Sequence, residues 1–334
     1  VEKPNPWVRL FRTDTERPCT ATSKSVQLTV ARARSTLVSH VAAPEPPADT
    51  EWHHAEVPSR FEDITQDGRI QLASLLPGLG ATTWRHLLAH PDSKRLLEGG
   101  IVPILSRLVL EGGVGPFSAG HPLSARGTYA FTHTAGAGGA VERLLLSMWL
   151  EVHAPIGRTY GAPPDGAGTP ALAGRVYAEH TVTRPFASSA EERRVQPAEL
   201  AGIEGVPGER VEAVAPASLE VLPEGAHALD EGARADAATI HFGLMHTDSN
   251  QHVNSLVYLR HFEEAALRRL AEHGVRGARI ARRAQLAYRK PAFAGDALRI
   301  ELCAYEHHGR HGAVGSFVPE GGGRPTCHVA LAFD

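Results

Sequence analysis

One long amphipathic helix followed only by strands limits the fold of this chain more than any other feature. In a helix running to about His273, Leu256, Leu259, Phe262, Ala266 and Leu270 recur at steps of three and four residues, which gathers them on one helical face. Gly274 supplies the stop. Ala237 to Leu244 reads as a strand before it and His246 to Gln251 as a polar turn, while strands are expected after it at Ala278 to Arg289, Ala297 to Glu306, Ala313 to Val318 and Thr326 to Phe333. In the second of these, Leu298, Ile300, Leu302 and Ala304 alternate with Arg299, Glu301, Cys303 and Tyr305, the period of two of a half-buried strand.

The first half runs in the same order. Asp63 to Asp67 leads into Arg69 to Leu76, which reads as a helix start, and strand-like runs follow at Ile101 to Leu110, Leu123 to Thr134 and Val141 to His153. A loop rich in Gly and Pro, Gly157 to Pro170, precedes a further strand at Arg175 to Phe186. Asp67 to Gln71 overlays Asn250 to Asn254, and Ser118 to Leu123 overlays Phe293 to Leu298. The order implies a duplicated α+β unit. The expected divisions are an arm at 1–50, a first unit at 51–200, a linker at 201–235 and a second unit at 236–334. The arm holds a strand-like patch from Val26 to Val30 and a break at Pro44 to Pro47, and the linker an apolar alternation at Leu219 to Leu222.

Composition agrees with two units. The chain has 334 residues, enough for two domains at ~150 residues each. With 42% hydrophobic residues and a net charge of −3 it is neither a disordered nor a nucleic-acid-binding composition. The longest apolar runs, such as Leu144 to Leu150, fall far short of the ~20 residues of a membrane span, and the first residues hold no apolar stretch of secretory length. A cytoplasmic protein is expected. Cys19, Cys303 and Cys327 stand too far apart in sequence for a thiolate zinc motif or a disulfide framework and read as reduced structural thiols.

The chemistry concentrates in His246 to Tyr258, where Asp248, Asn250 and His252 fall at alternate positions as strand gives way to helix. Ser249 or Asn250 is the expected N-cap, so the positive end of the helix dipole would meet this turn and favour a carboxylate or an oxyanion. On spacing alone the same residues also read as an ordinary cap and polar first turn.

Asp248-Ser-Asn250-Gln-His252-Val-Asn254, with Tyr258 and Phe262-Glu263-Glu264-Ala265 beyond, resembles the signature of hotdog-fold thioesterases, most of all the acyl-acyl-carrier-protein thioesterases. Tyr288-Arg289-Lys290-Pro291 and Gly295-Asp296 resemble the strand-turn segment that comes next in such families, and Arg194 to Leu200 the stretch that closes the first hotdog. The resemblance is specific over roughly 240–305 and diffuse over 52–235. It implies an α+β double hotdog, two long helices each wrapped by an antiparallel sheet, in which the first half shapes an acyl pocket and the second carries the reaction. It implies Asp248, Asn250 and His252 as catalytic residues, and Asn254, Tyr258 and Arg289 as residues that contact substrate or support the site. The implied reaction is hydrolysis of an acyl-carrier-protein or coenzyme A thioester in fatty acid or polyketide metabolism. No metal, cofactor or nucleic acid is called for, and the implied state is a monomeric pseudo-dimer or a homodimer. The chain departs from the pattern twice. The glutamate that plant-type members carry after the Tyr-Arg pair is replaced by Pro291 or Ala292, and His246 stands where related single-domain enzymes often have an acidic residue. Hydrolysis is then either weakened or left to Asp248 and His252.

In the first half the corresponding residues are Thr65, Asp67 and Arg69, so one site per chain is expected. Glu306 to Gly312 reads as a hairpin loop rather than a metal cluster. Arg268, Arg269, Arg276, Arg279, Arg282, Arg283 and Arg289 read as an exposed face or as a landing site for phosphate. No Gly-x-Ser-x-Gly elbow is present. Hotdog hydratases space Asp and His five apart with a Pro after the Asn, unlike the spacing of four here, and rank second; a catalytically silent acyl-binding or scaffold protein is the third alternative.

Overall fold

A computed structural model describes residues 42–277 and 279–334. The patch Val26 to Val30, Cys19 and most of the arm lie outside the described residues, as does Ala278. The strands are β1 (His53–Val57), β2 (Val102–Gly112), β3 (Leu123–Ala135), β4 (Val141–Pro155), β5 (Pro170–Thr183), β6 (Glu209–Arg210), β7 (His227–Ala228), β8 (Arg234–His241), β9 (Ala281–Tyr288), β10 (Ala297–His307), β11 (Arg310–Pro319) and β12 (Cys327–Phe333). The helices are α1 (Pro77–Leu79), α2 (Arg85–Ala89), α3 (Pro91–Glu98), α4 (Ala190–Arg193) and α5 (Ser255–Glu272), with a π turn, Gly80–Trp84, joining α1 to α2.

All twelve strands belong to one sheet, and its order repeats. One half runs β1-β3-β4-β5-β2, and the other, read inward from its far edge, runs β8-β10-β11-β12-β9. The halves meet where β2 and β9 pair antiparallel, Leu108 opposite Leu286 and Leu110 opposite Ala284. Alternation along each strand sends one set of side chains toward the helices. Residues 77–89 pack against β1, β3 and β4, while α5 packs against β8 to β12 through Leu259, Phe262, Ala266 and Leu270, all at most 1% exposed. No helix among the described residues is long and apolar enough to cross a membrane.

Three expectations change. The first-half helix does not start at Arg69. Ile64 and Ile70 form a β-bridge and Leu72–Leu75 is a 3-10 turn with Leu72, Ala73 and Leu75 buried, so the helix waits for Pro77, whose fixed φ suits a first helical position. The half-buried alternation of β10 holds only to Leu302; Cys303, Ala304 and Tyr305 are all buried, because the 3-10 turn Pro216–Glu220 lays Leu219 across the outer face of β9, β11 and β12. The arginines in and after α5 divide: Arg276 and Arg289 are exposed, whereas four others are tied to acidic partners. Arg268 pairs with Asp236, Arg269 with Asp230 and Glu272, Arg282 with Asp334 and Arg283 with Glu111. Burial works to raise the Asp230 carboxyl, but bonds from the Ala304 amide, His273 and Arg269 outweigh it and hold the group below its usual range.

Helix and sheet approach most closely at Gly127 of β3. A Cβ there would run into the hydroxyls of Thr82 and Thr83, which are buried under the π turn, one of them donating to the Gly78 carbonyl at 2.7 Å. Gly127→Ala is expected to lower the unfolding free energy by about 1–3 kcal/mol, measured by denaturant unfolding; an unchanged midpoint would mean that the helix sits farther from the sheet.

Candidate active site at the mouth of a shared cleft

The turn between β8 and α5 is built mainly from backbone. Thr247 and Val253 form a β-bridge, the Asp248 amide donates to the His252 carbonyl at 3.0 Å and the Gln251 amide to the Asp248 carbonyl at 2.9 Å. Gln251 closes the turn with a φ of 65°, in the left-handed region that a residue with a Cβ enters at a cost. The Asn254 amide donates to the His246 carbonyl at 2.8 Å, and the Val253 amide to that of Ala292, also at 2.8 Å. Ala292 is 1% exposed and contributes its carbonyl to this anchor.

This geometry corrects the expected cap. The helix begins at Ser255 and its N-cap is Asn254, whose Oδ1 accepts from the Leu256 amide at 3.0 Å; Ser249 and Asn250 lie outside it. The same Asn254 side chain donates from Nδ2 to Asp248 Oδ2 at 3.5 Å, and Asp248 Oδ1 accepts from the Asn250 amide at 2.9 Å. Asp248 is therefore exposed but tethered to the helix cap through Asn254. The side-chain amide of Asn250 makes no hydrogen bond among the described residues and is free for a ligand. The His252 ring stands edge-on to Phe293 at 5.2 Å.

The other named residues divide. Tyr258 is 2% exposed, edge-on to Tyr288 and Phe317, and burial pushes its phenol well above the usual range. Tyr288 donates to the Ser255 carbonyl at 3.1 Å, which fixes the first turn of α5. Arg289 and Lys290 are exposed at the end of β9, the amide of Arg289 held by the Thr326 carbonyl at 2.8 Å.

Asp248, Asn250, His252, Tyr258, Arg289 and Pro291 share the wall of a cleft of about 1320 Å³ whose other wall comes from the first half. Trp84, Leu87, Leu96 and Ile101 line it from the helical side, and Leu105, Phe131, Leu146 and Val182 from the sheet. The arrangement places a carboxylate, an amide and an imidazole at the mouth of an apolar chamber.

Sequence patterns did not single out His180, which also lines the chamber. In β5, Val176, Ala178, His180 and Val182 form the row that faces the core, so a lone histidine in an apolar alternation was its only signal. Its ring is 6% exposed, edge-on to Trp84 at 5.1 Å, and burial lowers its pKa to about 4, against the weaker opposing pull of the Leu146 and Ala178 backbone.

The first-half turn repeats three of the four backbone bonds that shape the turn between β8 and α5. The Thr65 amide donates to the Arg69 carbonyl at 2.8 Å, Gly68 to Thr65 at 2.9 Å and Gln71 to Asp63 at 2.9 Å, with Gly68 at a φ of 85° in the place of Gln251. Its side chains are committed to structure. Asp67 accepts from the Thr65 hydroxyl at 2.5 Å and pairs with Arg69 at 2.6 Å, and Arg69 also pairs with Asp334. Glu306 to Gly312 is a tight hairpin with positive φ at His308 and Gly309, as expected.

No family model and no curated protein matches the chain. Among solved structures it is similar to a putative oleoyl thioesterase from Lactobacillus plantarum, with a TM-score of 0.55, 10% identity, and coverage of 86% of this chain and 96% of that one. It is also similar to the 12:0-ACP thioesterase from Umbellularia californica, with a TM-score of 0.53, 12% identity, and coverage of 85% and 94%. At these identities the likeness is one of fold, and the chain has the hotdog fold of these proteins.

The depressed pKa of His180 sets an acid dependence. In the folded chain the ring stays neutral down to about pH 4, whereas in the unfolded chain it takes up a proton near 6.5, so stability falls as pH drops from 6.5 toward 4. Denaturant unfolding at several values in that window should give His180→Leu a slope shallower than wild type by up to about 1.4 kcal/mol per pH unit. Equal slopes would mean that the buried ring titrates normally.

Proposed function

We propose that the chain hydrolyses an acyl thioester, carried by coenzyme A or an acyl carrier protein, to a free acid and a thiol. In this reading it is a double hotdog, monomeric or homodimeric, acting in the cytoplasm on fatty acid or polyketide intermediates. Residues 51–200 shape the acyl chamber, 201–235 connect, and 236–334 carry the reaction. The observation that carries the reading is the opening of the Asp248, Asn250 and His252 turn onto an apolar cleft walled by the other half.

The chemistry assigns each group a task. Asp248, held by the Asn250 amide and Asn254, activates water or attacks the acyl carbon itself. The side chain of Asn250 and the positive end of the α5 dipole polarise the carbonyl as its oxygen gains charge. The carbon–sulfur bond breaks, His252 gives the departing sulfur its proton, and water supplies the new oxygen of the acid. Tyr258 and Asn254 keep the helix start in place, and Arg289 meets the carrier's phosphate at the mouth. A catalytically silent acyl binder is the second reading, favoured by Pro291 or Ala292 in the place of the family glutamate.

Thiol release from acyl-coenzyme A and acyl-carrier-protein substrates tests the proposal. Wild type should release thiol, and Asp248→Ala should lose about 10²–10⁴-fold in rate while unfolding at the same midpoint. No release from a folded protein favours the silent binder, and undiminished turnover in Asp248→Ala places the site elsewhere. Addition of water to an enoyl thioester would instead identify a hydratase.

A further inference from the structure

The chamber wall is not uniformly apolar, and one of its deeply buried polar side chains, His180, keeps a ring nitrogen without a partner among the described residues. His180 stands in β5 between Ala178 and Val182, opposite Leu105 on β2 and Leu146 on β4, and against Trp84. Its Nδ1 finds no hydrogen-bond partner among the described residues, although the residue is only 6% exposed. On the same wall, two strands away on β3, the half-buried Tyr129 has a hydroxyl that makes no hydrogen bond within the described residues.

A plain hydrocarbon chain laid along this wall would cover the imidazole and the phenol and leave both without partners, a cost that a leucine or valine at either position would avoid. We infer that the chamber binds an oxygenated acyl chain, one bearing a hydroxyl or keto group at the depth of His180 and Tyr129, rather than a plain alkyl chain. The neutral imidazole suits that role, because it can donate to a keto oxygen or accept from a hydroxyl according to its tautomer. The inference rests on the acyl-thioesterase reading for the identity of the guest, and it adds what that reading leaves open, the chemistry of the chain.

Binding of free acids tests it without relying on turnover. Calorimetric titration would compare straight-chain acids with the same acids carrying a hydroxyl or keto group at successive carbons. The expected result is tighter binding of the oxygenated acid, by about 10- to 100-fold, at one chain position, with the preference abolished or reversed in His180→Leu. Tyr129→Phe, which removes a hydroxyl that no other described group needs, should reduce the same preference and serves if His180→Leu fails to fold. A plain chain that binds as well at every position overturns the inference, as does a preference that survives both substitutions or an absence of binding to any acid. Hydrolysis fails separately: a chain that prefers the oxygenated acid but releases no thiol keeps the pocket and loses the reaction, and one that cleaves plain-chain thioesters best does the reverse.

Discussion

The antiparallel pairing of β2 with β9 is the contact on which the rest depends. It fuses two five-stranded runs of identical order into one sheet, and it sets the helices of the two halves side by side on its faces. Only through that junction does the turn before α5 confront side chains from β3, β4 and β5 across the cleft. The pair is apolar at its centre, Leu108 and Leu110 against Leu286 and Ala284, each at most 0% exposed, so separating the halves would return that surface to water.

Duplication then allows the two turns to diverge. Both keep the same bridge, three of the same amide-to-carbonyl bonds and a left-handed residue in the same place, Gly68 or Gln251. Their side chains have taken opposite courses. Asp67 and Arg69 bind each other, and Arg69 also reaches Asp334 at the far end of the chain, whereas Asp248 and Asn250 keep polar atoms facing the cleft. A fused pair need keep only one turn open, and the other becomes a fastening between the halves.

What could be read from sequence was whatever the chain encodes locally. The stripe from Leu256 to Leu270 found α5, alternation found the strands of the second half, and the overlay of Asp67 on Asn250 survives as an overlay of hydrogen bonds. What could not be read depends on partners far along the chain. Ser249 and Asn250 look like caps, but the bridge from Thr247 to Val253 holds them short of the helix and passes the cap to Asn254. Arg268 and Arg269 look free because their partners stand more than thirty residues away, Asp230 in the stretch that reads as linker and Asp236 at the start of the second unit. His180 looks like any core histidine until Trp84, Leu105 and Leu146 surround it and leave its Nδ1 without a partner among the described residues.

The central claim is that chemistry from one half acts on a chain held by the other. A crystal structure with a non-hydrolysable ketone analogue of a long acyl thioester, in which CH2 replaces the sulfur, tests it most directly. The account predicts the carbonyl oxygen within hydrogen-bond distance of the Asn250 side-chain amide, the carbonyl carbon beside the Asp248 carboxylate and the acyl chain running between Trp84 and Val182. An analogue seated instead at the Thr65 to Arg69 turn, or a chain lying along α5 alone, would contradict it.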